Sequence, residues 1–192
     1  MPPSILLVFA GPNGSGKSTI TSCYPVIGDY VNADEIQKEC QCDSLEAAKI
    51  AEATREKLLS EHKNFTFETV LSTTRNINLM ERAKNLGYTV VCIYVLTKDA
   101  QINISRVLSR VQNGGHSVPV DKVVSRYRRA MRLFPKLLNI CDECYVYDNS
   151  LERTEGEPQM ILSLQYGDLK IFPNSLWSVE MLKDLCAGSY IC

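Results

Sequence analysis

Apolar residues in this chain fall into short runs, and between the runs they recur every three or four positions; that alternation predicts strands separated by helices. Ile5-Leu6-Leu7-Val8-Phe9 predicts a first strand, Tyr30-Val31-Asn32 a short second one and Phe65-Thr66-Phe67-Glu68-Thr69-Val70 a third. Residues 88–96 are the longest apolar, β-branched stretch and predict the central buried strand; Glu143-Cys144-Tyr145-Val146-Tyr147-Asp148 predicts a fifth. Between them lie predicted helices. A short one after residue 16 must stop near Pro25, another begins near Ile36, and Asp43 with Glu46 makes a capping box for one running to about His62. Thr74 is placed to cap a helix over 75–86 that Gly87 stops; Asp99 caps one through Gln112, which Asn113-Gly114-Gly115 breaks; a last one runs from about Val120 to Pro135 or slightly beyond. Strand and helix alternating in this way give an α/β domain with a five-stranded parallel sheet between helical layers and right-handed crossovers. Residues 1–150 hold that domain. In 151–192, a charged connection over 152–158 leads to a predicted hairpin, with strands 160–164 and 169–172, and to a helix from Ser175 to about Ala187, as a small appendage packed on the same domain.

One stretch changes the picture from architecture to chemistry. Gly11-Pro12-Asn13-Gly14-Ser15-Gly16-Lys17-Ser18-Thr19 fits G-x-x-x-x-G-K-[ST], with a strand before it and a helix after it. Glycines adopt backbone angles closed to other residues, so successive N–H groups can turn inward around phosphate oxygens at a positive helix N-terminus. Lys17 supplies a mobile charge for the β and γ phosphates of a bound ATP, and the Ser18 hydroxyl is the expected ligand of a Mg²⁺ that keeps most of its water. The expected architecture is the P-loop NTPase three-layer fold.

Composition narrows the partners. The chain has 192 residues, 45% hydrophobic and 22% charged, as in an ordinary globular domain. A formal net charge of −1 argues against a surface built wholly for nucleic acid or anionic lipid. No apolar run approaches the roughly 20 residues that span a bilayer, and Met1-Pro2-Pro3-Ser4 carries no basic leader, so the expected location is the cytoplasm. The eight cysteines are accordingly expected as free thiols rather than disulfides. Cys40-x-Cys42 with Cys141-x-x-Cys144 is a possible zinc set, disfavoured by the distance between the pairs and the spacing of the first.

Further candidates surround the loop. Asp34 follows the second strand and is placed to accept the proton of an attacking hydroxyl; Asp34 or Glu35 as a helix cap is the bland alternative. Glu68 and Thr69 interrupt an apolar strand near its end, which is costly unless they meet a ligand or partner, so they are candidates to position an acceptor. From 106 to 136, Arg106, Arg110, Lys122, Arg126, Arg128, Arg129, Arg132 and Lys136 stand against Asp121 alone. Two basic helices joined by Gly114-Gly115-His116-Ser117-Val118-Pro119 suggest a lid over about 106–136, with His116 a phosphate or substrate contact; a solvated helix face is the alternative.

Taken together, the loop at 11–19, Asn32-Ala33-Asp34-Glu35-Ile36, Phe67-Glu68-Thr69-Val70-Leu71-Ser72, Arg106-x-x-x-Arg110, Gly114-Gly115-His116-x-Val118-Pro119, Arg126-Tyr127 and Tyr147-Asp148-Asn149-Ser150 resemble the zeta toxin family of P-loop kinases, in its short, zeta-like ATPase branch. The resemblance covers roughly residues 4–150. It implies an ATP- and Mg²⁺-dependent kinase; zeta toxins phosphorylate a sugar hydroxyl of UDP-N-acetylglucosamine and are restrained by a small antitoxin. By position it makes Lys17 and Ser18 the phosphate and Mg²⁺ ligands and Asp34 the base. Glu68 and Thr69 fall in its acceptor-site strand, and Arg110 and Arg126 are the nearest matches to its phosphate-clamping arginines, with Arg106 or Arg129 open in their place. The expected activity is transfer of the γ-phosphate of ATP to a hydroxyl of a small molecule, which the resemblance implies is a nucleotide sugar. A polynucleotide 5′-hydroxyl kinase and an ATP-gated binding module are the alternatives.

Overall fold

The computed structural model describes residues 2–112, 117–152 and 156–190. Its strands are β1 (Ile5–Ala10), β2 (Asp29–Val31), β3 (Phe65–Thr69), β4 (Thr89–Leu96), β5 (Glu143–Asp148), β6 (Gln159–Gln165) and β7 (Asp168–Ile171). The helices are α1 (Lys17–Thr21), α2 (Ala33–Cys40), α3 (Ser44–Ser60), α4 (Thr74–Asn85), α5 (Ala100–Gln112), α6 (Val120–Ile140) and α7 (Val179–Ala187). None of the described helices is long and apolar enough to cross a membrane.

All seven strands form one sheet in the order β2-β3-β1-β4-β5-β6-β7. Neighbours from β2 to β5 run parallel, whereas β6 and β7 are antiparallel. The expected five-stranded parallel sheet is therefore corrected to a seven-stranded mixed one. The C-terminal hairpin is no appendage hung outside the sheet: it continues the sheet by pairing along β5, Glu143 opposite Gln165 and Asp148 opposite Gln159. The physical reason is that β5 would otherwise leave a row of unpaired backbone groups at an edge, and the hairpin covers it while burying Ile161 and Leu162 completely.

The period of two along β1 divides the core. Leu6, Val8 and Ala10 point to the larger apolar cluster under α3, α4, α6 and α7, while Leu7 and Phe9 point to a thinner one closed by Ile20 of α1 with Tyr24, Tyr30 and Tyr147. Helix α6 runs through Pro135, as the sequence allows, and on to Ile140. An interior proline forfeits one backbone bond and costs about 3 kcal/mol, and the full burial of Phe134 and Leu137 beside it offsets that loss. Asp43 caps α3 as expected, its Oδ1 accepting from the Leu45 and Glu46 amides at 2.8 and 2.9 Å. Helix α4 begins at Thr74 itself, with Thr73 as cap residue. The last helix starts three residues' worth of turn later than predicted: Asn174 Oδ1 accepts from the Leu176 and Trp177 amides, and Ser178, not Ser175, caps α7.

Candidate functional site

The site lies at the carboxyl edge of β1, β3 and β4, where open α/β sheets collect their loops. β1 delivers the chain into the glycine loop, and α1 receives it. Gly16 sits at φ +82°, and a Cβ there would come within 2.1 Å of the Asn149 amide nitrogen. Gly14, at φ +78°, has the backbone of Asn103 equally close, with a Cβ position 2.5 Å from its carbonyl oxygen. No other residue type fits either place. Two asparagines fix the loop from outside: Asn103 donates to the Asn13 carbonyl at 2.6 Å and Asn149 to the Ser15 carbonyl at 2.8 Å. Asn103 is fully buried and bonded to the Thr97 hydroxyl. Inside the loop, the buried Ser15 Oγ finds no partner among the described residues. A cradle that only glycines can line, holding an orphaned hydroxyl and a lysine, fits a phosphate group.

Lys17 Nζ donates to the Gly11 and Pro12 carbonyls at 2.9 and 3.3 Å and lies 3.8 Å from Glu68 Oε1. Burial pushes its pKa below the ordinary lysine value, and the carboxylates of Glu68 and Asp34 push it back up. Arg110 acts in the other direction, so Asp34 and Arg110 both lie within electrostatic reach of the ammonium. Glu68, opposite Phe9 in the β1–β3 register, is itself held by the Tyr30 hydroxyl at 3.3 Å and the Asn32 amide at 3.4 Å.

Neither Asp34 nor Glu35 is the cap of the second helix. The helix cap is Asn32, whose Oδ1 accepts from the Asp34 amide at 2.8 Å; α2 begins at Ala33 rather than near Ile36, and the Asp34 carboxylate stays exposed in its first turn. Ser18 is likewise exposed, on α1. The Ser18 hydroxyl and the Asp34 and Glu68 carboxylates are hard oxygen donors of the kind Mg²⁺ takes. Thr69 is more occupied than its neighbour: its hydroxyl accepts from the Leu71 amide at 2.9 Å and from Asn76 at 2.8 Å, which holds Leu71 in a left-handed conformation at φ +53°.

The basic stretch divides into distinct roles. Arg126 reaches the loop, donating to Asn13 Oδ1 at 3.2 Å, and it also borders an open cleft of about 920 Å³ with Arg55, Arg75, Thr69, Ser72 and Asn76. Arg106 instead binds backbone, donating to the Asn149 carbonyl at 2.6 Å and the Leu151 carbonyl at 2.8 Å. It therefore positions the loop after β5 and leaves Arg110 as the arginine of α5 nearer the phosphate lysine. Arg128, Arg129, Arg132 and Lys136 are exposed, the solvated helix face of the alternative. Much of the expected lid is core: Val123, Tyr127, Ala130, Met131 and Phe134 are buried, and the Tyr127 hydroxyl donates to the Thr97 carbonyl at 2.7 Å. His116 lies outside the described residues.

Thus the structure brings together the loop, Lys17, Asp34, Glu68, Arg110 and Arg126. The supports that sequence reasoning missed are Asn103, Tyr30 and Arg55. Asn103 and Arg55 sit inside helices whose period gives no sign of what they face; Tyr30, as a polar tip in a short strand next to Asn32, carried a weak signal.

Comparison with known proteins bears on the family and the fold. The sequence model of the family described as "Zeta toxin" matches residues 23–154. A protein of Haemophilus influenzae (strain ATCC 51907 / DSM 11121 / KW20 / Rd), described as uncharacterized, is 30% identical over 128 residues, 63% of this chain and 91% of its own. Among solved structures, the complex of AvrRxo1-ORF1 with AvrRxo1-ORF2, determined with sulphate ions, superimposes with a TM-score of 0.69 at 15% identity, covering 97% of this chain and 64% of that one. The chain thus spans less than two thirds of that neighbour's length. The PezAT chromosomal toxin-antitoxin system of Streptococcus pneumoniae gives a TM-score of 0.54 at 20% identity, over 98% of this chain and 85% of that one. At such identities the solved structures establish the fold, and the family match over most of the chain establishes the kinship: this chain belongs to the zeta toxin family, with its P-loop kinase-like fold.

Proposed function

We propose that this chain is a phosphotransferase that moves the γ-phosphate of ATP to a hydroxyl of a small molecule. The observation that carries the proposal is the meeting of Lys17, Glu68 and Asp34 at a cradle whose glycines admit no side chain. Residues 11–19 hold the phosphates, with Lys17 swinging from the Gly11 and Pro12 carbonyls to the β and γ oxygens. Asp34 takes the proton of the acceptor hydroxyl; the acceptor oxygen bonds to the γ phosphorus as the bond from that phosphorus to the β–γ bridging oxygen breaks, leaving ADP. Arg110 and Arg126 balance the charge spread over the transferred group. Ser18 is the ligand for Mg²⁺, which when bound shields the charge of the β and γ phosphates.

The acceptor side is the cleft beyond Thr69. Its lining of Arg55, Arg75 and Arg126 with Ser72 and Asn76 suits an anionic, hydroxyl-rich molecule, a nucleotide sugar as in the zeta toxins. A restraining protein partner belongs to the same proposal, since the PezAT neighbour is described as a toxin-antitoxin system.

The test is ATP turnover by purified protein with and without nucleotide sugars, nucleosides and oligonucleotides, using Lys17→Ala as the blank. One small acceptor that gains phosphate, with ADP formed only in its presence and neither in the blank, supports the proposal. Phosphate appearing on oligonucleotide ends alone, or ATP binding without any acceptor-stimulated turnover, overturns it.

A further inference from the structure

Beneath the sheet's working edge, on the face covered by α4 and α6, three cysteines meet. Cys92 of β4 and Cys144 of β5 are partners across the parallel register, and Cys141 lies at the turn from α6 into β5. Their three sulfur atoms all lie within 4.8 Å of one another. We propose that Cys92, Cys141 and Cys144 form a binding site for a thiophilic d¹⁰ cation, with zinc as its ordinary occupant.

The reasons are geometric and chemical. Zinc–thiolate bonds of about 2.3 Å in a tetrahedral arrangement set sulfurs roughly 3.8 Å apart, so these three need only small side-chain movements to share one ion. The cluster is buried: Cys92 and Cys144 are 0% exposed and Cys141 6%. Binding releases the thiol protons to solvent as the three metal–sulfur bonds form.

The spacing is that of a C-x-x-C pair closed by a third cysteine from a neighbouring strand. It is not the set that sequence alone offered: Cys40 and Cys42, at the far end of α2, are exposed and half-buried and do not join Cys141 and Cys144. Such a site would tie the end of α6, the helix that carries Arg126, to the two strands it packs on.

The experiment is titration of fully reduced protein with Cd²⁺, read by ultraviolet sulfur-to-cadmium charge-transfer absorbance, followed by displacement with Zn²⁺ and by thermal unfolding with and without Zn²⁺. A variant carrying Cys23→Ser, Cys40→Ser, Cys42→Ser and Cys192→Ser keeps the cluster and removes four other thiols that compete for metal. The proposal expects saturation at one equivalent in both wild type and this variant, loss of the band in Cys141→Ser with unchanged circular dichroism, and a higher unfolding temperature with Zn²⁺. A wild type without a one-equivalent band, or a band lost in the four-serine variant, overturns it, and neither result depends on whether Cys141→Ser folds.

Discussion

Lys17 Nζ stands 3.8 Å from Glu68 Oε1, an ion pair that joins the phosphate loop to β3 across the β1–β3 register. Burial lowers the Lys17 pKa, and Glu68 is the strongest influence raising it again. Glu68→Gln therefore lowers it further. Because ATP needs the charged ammonium, the pH at which ATP affinity begins to fall on the alkaline side should move to lower pH in Glu68→Gln. Dissociation constants measured across the alkaline range check this; superimposable profiles would show that the pair does not govern the lysine.

Gly16→Ala places a methyl group against the Asn149 amide in a left-handed conformation. The conformation alone costs about 1–2 kcal/mol, and the clash must also move either Asn149 or the loop. The expected outcome is a lower unfolding midpoint together with loss of ATP binding by at least about tenfold, whereas a solvent-exposed glycine such as Gly87, with nothing near its Cβ position, should give only the first effect. Isothermal titration with ATP separates the two.

Asn103→Ala removes the donor to the half-buried Asn13 carbonyl and one of two acceptors of the buried Thr97 hydroxyl, which keeps the Asp99 carbonyl at 3.2 Å. A polar group left without its partner costs about 1–3 kcal/mol, so a loss in that range in denaturant unfolding is expected. The phosphate loop should also loosen, which amide exchange over residues 11–19 would report.

Much of this site was legible before the structure, and the reasons differ by residue. The glycine loop announces itself because its spacing is dictated by backbone angles that no other residue adopts. Asp34 and Glu68 stood out as charges at the ends of apolar strands, where burial without a partner is costly. The hairpin's pairing with β5 was not legible, since period-two patterning tells a strand from a helix but not which edge it joins. Nor could the sequence separate Arg106 from Arg110: they lie one turn apart on α5, and only the path of the loop at 149–151 brings carbonyl oxygens to the first. The sequence carries α6 only slightly beyond Pro135, whereas tertiary burial rather than propensity holds it to Ile140.

Asp148 gives a pH signature. The residue is buried, and desolvation raises its carboxyl pKa above the ordinary value despite the hydrogen bond from Ser150. Between the unfolded and folded values the native state binds more protons than the unfolded chain, so this group's contribution to stability falls as pH rises through that window. Asp148→Asn removes the titration. The stability of the variant minus that of wild type should therefore grow as pH rises above the ordinary aspartate value, measured by urea unfolding at each pH; a constant difference would contradict the upward shift.

The central claim is tested most directly by Asp34→Asn, which keeps the shape and the Asn32 cap of the helix while removing the base. Single-turnover transfer of the γ-phosphate from ATP to the acceptor should slow by roughly 10²- to 10⁴-fold, with ATP affinity within about threefold of wild type. Transfer at a near-normal rate would contradict the assignment of Asp34, and with it the mechanism proposed for this chain.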